Sequence, residues 1–483
     1  MTGIRAGVGL AAAIAGRAAA GGTGGGLVAA SVETDPFDAV TLFAAAESAG
    51  MEAALMLRPD EGFELVGIGR AWSFDGSGPA RFRDADTATR LILETALVSR
   101  PAEVRGLGPV LLGGMGFSGR IPDTADGWAP FGAASLVLPS LVALRSAGRC
   151  WLTGSVLRDD GEAGAAGVAT RLPAEAERLE ALWTRVSGLA ESRPIPAASS
   201  PADAPLAIDR ELPTPDQWRR VVGLMAGAVG RGRLDKVVFA RLVDLISPVA
   251  LDVAPALRRM AASAPESAIF AFRRVDAAFI GATPERLVRS EGRTYRTAAV
   301  AGSTRRGSDD VEDAALAAEL LASEKEREEH AVVVRAIRRD LAPLSARIDV
   351  APQPGIMTLR HVQHLVTEIT GTLRDQTGLL ALADLLHPTP AVGGEPPDLA
   401  LAMIDEHEGF DRGWYAGPIG WLGAGGDGEL MVALRSGLVR GNRATLFAGC
   451  GIVADSDPDR EWEESRIKMR AVATALGSAG EAL

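Results

Sequence analysis

The residues in this chain best suited to chemistry are acids placed three apart on helices. Near the C-terminus, EWEESRIKMRAVATAL carries Glu461 and Glu464 ahead of Lys468. With Glu461 at zero on a helical wheel, Glu464 falls at about −60° and Lys468 at about −20°. Val472 and Leu476 fall at about +20° and +60°, on the same arc. The three charges thus extend the apolar stripe of their helix, where an unpaired charge is costly. SEKEREEHAVVVRAIRRDL repeats the arrangement: Glu329 lies within the arc of Val332, Val333 and Ile337, and Glu326 about 50° away. Solvated first-turn acids favoured by the helix dipole are the plainer reading of one such pair. Two pairs aligned with buried stripes on separate helices favour a shared site.

Four carboxylates offer hard oxygen ligands and no soft ones, which suits Mg²⁺ better than zinc or copper. The histidines cluster between His330 and His407 with no zinc-type spacing. Arg435 could grip a carboxylate with two parallel hydrogen bonds, and Lys468 is a second cation. Gly449 and Gly451 in FAGCGIV would let backbone N–H groups approach an anion. Alternation in LDKVVFAR puts Lys236, Val238 and Ala240 on one face, and the turn GATPE sets Glu285 between two strands. If burial lowered the lysine pKa and raised that of the glutamate, Lys236 could act as a base and Glu285 as an acid. A strand-end lysine pointing to solvent is the plainer alternative.

These residues need elements to hold them. Strands are expected at LVAASV, EAALMLR, FELVGIG, VLLGGMGF, CWLTGSV and, as one run, ASLVLPSLVALRSAG. Helices are expected at 38–49, 86–97, 174–190 and 215–229, the last capped by Thr214 with Pro215 in its first position. Residues 308–343 are expected to be helical, with the first acid pair in their second half. LRHVQHLVTEITGTL reads as a strand with His361 and Gln363 on one face and His364 on the other, and MVALRSG as a strand carrying Arg435. Residues 1–190 read as framework. Residues 191–215, with six prolines, read as a linker or surface crossing, and 216–478 carry the motifs.

Composition limits the rest. With 47% hydrophobic and 23% charged residues the chain is globular, and its net charge of −12 argues against a nucleic-acid binder. Cys150 and Cys450 alone make neither a disulfide framework nor a zinc site. Arg17 interrupts the apolar run 7–20, so neither a signal peptide nor a membrane span is expected, and a cytoplasmic location follows.

The segments LDKVVFAR, GATPERLV, AVAGSTRRG, SEKEREEH, LRHVQHLVTEITGTL, LLHPTPAVGGEP, YAGPIGW, ALRSG, FAGCGIV and EWEESRIK resemble, in order, those of the chorismate-utilising enzymes, most closely the isochorismate synthases. The resemblance implies one large α/β (α+β) domain over 1–483, two antiparallel sheets packed as a sandwich with helices outside, against the two or three domains that length would allow. It implies an isomerase that turns chorismate into isochorismate, with Lys236 activating water and Glu285 protonating the departing C4 hydroxyl. Glu329 and Glu464 would bind Mg²⁺, with Glu326 and Glu461 in the same cluster. Tyr415, Arg435, Gly449, Gly451 and Lys468 match substrate-contacting positions, while Gly302, Ser303, His364 and Ala391 line the ring pocket. Lys236 stands where anthranilate synthases carry glutamine, and Ala301 where aminodeoxychorismate synthases have a nucleophilic lysine. Ala391 stands where salicylate and anthranilate synthases usually have threonine. No glutamine amidotransferase, nucleic-acid or membrane partner is implied. Salicylate synthase is the competing activity, and a catalytically silent metabolite sensor the competing class. The resemblance leaves open whether the product feeds menaquinone or siderophore synthesis.

Overall fold

The computed structural model describes residues 9–20, 26–122, 127–158, 164–195, 206–358, 362–375 and 377–478, with side chains of the helix Gly164–Ser192 described from Arg171 on. His361 and much of the Pro-rich stretch, 196–205, lie outside them, as do residues 7 and 8 of the apolar N-terminal run. Among the described residues two sheets of 13 and 10 strands form the frame. Their pairings are antiparallel except that Gly26–Glu33 runs parallel to Leu97–Ser99. Strands from both halves of the chain interleave: Ala53–Arg58 pairs with Ala268–Arg274, and Val110–Met115 with Pro418–Gly423.

Period-two alternation sorts each strand between two cores. In Ala268–Arg274, Phe270 and Phe272 face the core shared by the sheets, while Ile269 and Ala271 face the outer helices. The outer core is closed by Leu10–Ala20, Ala39–Ser48, Gly164–Ser192, Val253–Ser263 and Pro458–Leu476. Between the sheets, Phe63 and Trp421 stack with ring centroids 5.5 Å apart. No described helix is long and apolar enough to cross a membrane.

Several expected elements differ. The run 134–148 is two strands, Ala134–Leu138 in the smaller sheet and Leu141–Ser146 in the larger, because Pro139 lets the chain change sheets. The helix expected at 86–97 is Arg81–Glu94, drawn toward its N-terminus by buried Arg81 and Phe82. The helix expected at 174–190 is Gly164–Ser192, with Pro173 inside. Buried Leu172, Ala176, Leu179 and Trp183 carry one apolar stripe past the proline, which outweighs its missing hydrogen bond. The stretch 308–343 is two helices, Asp310–Ala322 and Glu324–Leu341, divided at extended Ser323. Pro215–Gly230 is as expected, with a Thr214–Gln217 capping box.

A buried ion cluster ties the sheets together. Glu429, its side chain 1% exposed, sits 2.6 Å from Arg286 Nε, 2.7 Å from Arg105 Nη2 and 3.7 Å from Arg58 Nη1. Arg58 comes from the larger sheet, Arg286 and Glu429 from the smaller. Glu61, a more exposed carboxylate, also pairs with Arg58, Arg105 and Arg286, so removing Glu429 takes away the buried anion while Glu61 remains. Glu429→Ala should therefore cost about 3 kcal/mol, the low end for a broken buried ion pair, in a urea or thermal melt.

Candidate active site

Every site residue expected from the sequence lines one cavity of about 380 Å³. The larger sheet supplies Lys236, at the head of Lys236–Ile246, and Gly449 and Gly451 from its neighbour Arg443–Ile452. The smaller sheet supplies Gly302 and Ser303 from Thr294–Arg305, and His364 from Val362–Leu373. Glu326 and Glu329 come from Glu324–Leu341, and Glu461, Glu464 and Lys468 from Pro458–Leu476.

Glu285 and Arg435 stand where the chain changes sheets. Ala277–Thr283 belongs to the larger sheet and Arg286–Glu291 to the smaller; Gly428–Val432 and Ser436–Arg440 cross back. The crossings are bonded together: Thr283 Oγ1 donates to Val432 O at 2.5 Å, and Val432 N to Glu285 O at 2.9 Å. Arg435 is therefore not a strand residue but a turn residue with φ of 47°, a sparsely populated value for a side chain of this size. Burial pushes the Glu285 carboxyl up to about 7, against the opposing pull of Lys236 and Lys468.

Ser323 caps the helix of the first acid pair by accepting from Glu326 N at 3.3 Å. Buried His330 anchors it, its ring nitrogens meeting Thr367 Oγ1 at 2.7 Å and Ala301 O at 3.2 Å. Glu326 Oε2 accepts from Ser303 N at 3.3 Å, and Glu329 Oε1 lies 3.3 Å from Lys236 Nζ. Lys236 therefore turns into the cavity rather than to bulk solvent. On the closing helix, Lys468 Nζ reaches Glu464 Oε1 at 2.7 Å and Gly449 O at 2.9 Å. Burial opposes the charge on Lys468, but its anionic neighbours raise its pKa overall. The stripe reading needs one correction: the Glu464 side chain is 53% exposed, so these charges face an open cavity rather than sealed core. The buried face proper is Ser465, Met469, Val472, Ala473 and Leu476.

Glu461, Glu464 and Cys450 have ligand atoms within 4.8 Å of one another. Burial, then the Glu464 charge, pushes Glu461 up, a repulsion that a cation would relieve. Cys450 does not supply a soft ligand: burial holds it as a thiol, and it donates to Glu461 O at 3.2 Å. His364 meets Ser303 Oγ at 2.9 Å; burial, then the Lys468 and Arg435 cations, holds its pKa near 4, so the ring is neutral.

Two glycines have steric reasons to be glycine. Gly302 has φ of 77° at a register shift between Ala301 and Ser303, and a Cβ there would lie 3.1 Å from Glu326 Oε2. A Cβ on Gly451 would lie 2.4 Å from Lys236 Cε. Gly451 thus makes room for the lysine side chain.

The sequence reading missed Glu408 and Arg412. The strand of Lys236 is unpaired between residues 238 and 241 on one edge, where this ion pair takes the place of a strand. Arg412 Nη2 donates to Val238 O at 2.8 Å and Nη1 to Val392 O at 2.9 Å, while Glu408 Oε1 accepts from Ala240 N at 2.8 Å. The available signal was the i, i+4 charge pair in EGFDR.

A family model described as chorismate binding enzyme matches residues 16–477. The chain belongs to that family. This chorismate-binding enzyme is 38% identical over 456 residues to the salicylate biosynthesis isochorismate synthase of Pseudomonas aeruginosa, covering 94% of this chain and 91% of that one. It is 32% identical over 424 residues to isochorismate synthase MenF of Bacillus subtilis, covering 87% and 86%. The solved structure of the menaquinone-specific isochorismate synthase MenF from Escherichia coli is similar, with a TM-score of 0.77, 27% identity and 94% and 95% coverage. The chain is thus an enzyme of the isochorismate synthase family, with the two-sheet fold that the resemblance implied.

Gly451→Ala should leave the melting temperature near the wild-type value, since only a flexible lysine tip must yield. Chorismate turnover should fall by about 10²-fold, the scale for a reacting group misplaced by an ångström. Parallel melts and rate assays check this.

Proposed function

We propose that this enzyme isomerises chorismate to isochorismate by adding water at C2 and releasing the C4 hydroxyl as water. One observation carries the reading: an amine and a proton-bearing carboxyl, Lys236 and Glu285, open on the same cavity from different elements. Lys236 takes a proton from the water that attacks C2. The ring double bond shifts, the C4–O bond breaks, and the leaving oxygen takes its proton from Glu285. One water enters and one leaves, so substrate and product are isomers. Glu329 fixes where the amine stands, and the crossing bonded to Val432 fixes the acid.

The donor set fits a hard divalent cation. Glu329 and Glu464 would hold Mg²⁺, with Glu326 and Glu461 beside them, and the bound ion would supply positive charge to anchor a substrate carboxylate. Tyr415, Arg435, Gly449, Gly451 and Lys468 would contact the substrate. Gly302, Ser303, neutral His364 and Ala391 would line the ring. Ala301 offers no amine nucleophile.

Purified enzyme given chorismate and Mg²⁺ should accumulate isochorismate. Salicylate fluorescence appearing without an added lyase would instead favour salicylate synthase. Lys236→Ala should lower kcat by at least about 10²–10⁴-fold yet retain Mg²⁺-dependent chorismate binding by calorimetry; undiminished turnover removes the lysine from the mechanism. The acid form of Glu285 is present below about 7 and lost above it, so kcat/KM should fall as pH rises through that value. A pH–rate profile flat across neutrality contradicts this assignment.

A further inference from the structure

Beside Glu285 lies a second, far smaller chamber of about 10 Å³, whose lining includes Glu285, Thr297, Val333, Ile337, Thr389 and Ala391. That volume is about the least that holds one water molecule. Glu285, Val300 and Ala391 line both this chamber and the large cavity, so they form the wall between them. The Thr297 hydroxyl is already committed, donating to Leu287 O at 2.6 Å. That of Thr389 is not: the residue is 8% exposed, and its Oγ1 is sealed from solvent with no hydrogen-bond partner among the described residues. A buried hydroxyl left unpaired is costly, and native structures rarely keep one without water or a ligand to satisfy it.

We propose that this chamber binds a single water molecule, held by the Thr389 hydroxyl and hydrogen-bonded to the Glu285 carboxyl, and that Thr389 thereby tunes the acid. The tuning rests on the reading of Glu285 given above; the water site does not. The basic groups facing Glu285 are Lys236, beside Glu329, and Lys468, beside Glu464. Arg286 is turned onto Glu429 and Glu61. The helix Glu324–Leu341 presents apolar Val333 and Ile337 to the chamber, and the strand Thr294–Arg305 presents Thr297, Ala298 and Val300. A water there donates to the carboxylate and favours its charged form. Losing it leaves the carboxyl in a more apolar setting, where the proton is held to higher pH.

The test compares wild type with T389V, close in shape but without the hydroxyl, and with T389S, which keeps it. High-resolution density should show one water between Thr389 and Glu285 in wild type and none in T389V. Infrared titration of the Glu285 carboxyl band, referenced to E285Q, should shift upward in T389V by roughly half to one pH unit, the scale of one lost hydrogen bond. T389S should retain the wild-type midpoint. Wild-type density without the water, or a midpoint unmoved in T389V, overturns the proposal. If the infrared midpoint moves while the basic limb of kcat/KM does not, the water site stands and the assignment of Glu285 as the catalytic acid falls. Wild-type density decides the site even where a variant fails to fold.

Discussion

The chain passes between its two sheets at Thr283–Arg286 and again at Val432–Ser436, and the passages are hydrogen-bonded through Thr283, Glu285 and Val432. Much of the site depends on that join. It presents an acid and an arginine to a cavity whose remaining walls come from both sheets, two helices and the loops that carry Ala391 and Tyr415. A sandwich whose strands stayed in their own sheets would have no such joint. The positive φ of Arg435 is strain kept at the turn where the chain leaves the smaller sheet.

A second constraint is close approach around Lys236. Gly451 clears space for its side chain, and Gly394, with φ of 141°, lets the loop pair with its backbone. Asp235 N and Val238 N donate to Glu395 O and Gly393 O, and Glu408 and Arg412 finish the same edge with side chains. Backbone hydrogen bonds and a buried charge pair thus fix the strand that carries the Lys236 amine, an arrangement that would reduce reorganisation in the proposed reaction. The acid helices are mounted as firmly. Asp457 caps the closing helix, Trp218 donates to Pro458 O at 3.0 Å, and Arg241 lies over Trp462 while donating to Ser465 Oγ at 3.0 Å.

How legible this was from sequence depended on range. Local signals were dependable: the Thr214 cap, the alternation that turns Lys236 and Val238 to the cavity, and the E-x-x-E pairs leading into apolar stripes. Wheel geometry cannot tell a sealed core from an open cavity on the same arc, so it assigns Glu464 to a buried stripe although the side chain is half exposed. Pro139 and Arg435 were read within continuous strands because a change of sheet is a tertiary event with no period of its own. Glu408 and Arg412 stayed hidden because an unpaired strand edge shows only after the strands are paired. The framework half carried few motifs, yet it supplies strands to both sheets and Arg58 and Arg105 to the ion cluster.

The central claim is a division of proton work across one cavity, with a water activated at Lys236 and a hydroxyl released at Glu285. Its most direct test is turnover of chorismate in ¹⁸O-labelled water, read by mass spectrometry at low conversion. The account predicts one ¹⁸O in the isochorismate formed, on C2, with the original C4 oxygen lost to solvent. Unlabelled isochorismate, its hydroxyl carried from C4 to C2 without solvent exchange, would contradict it.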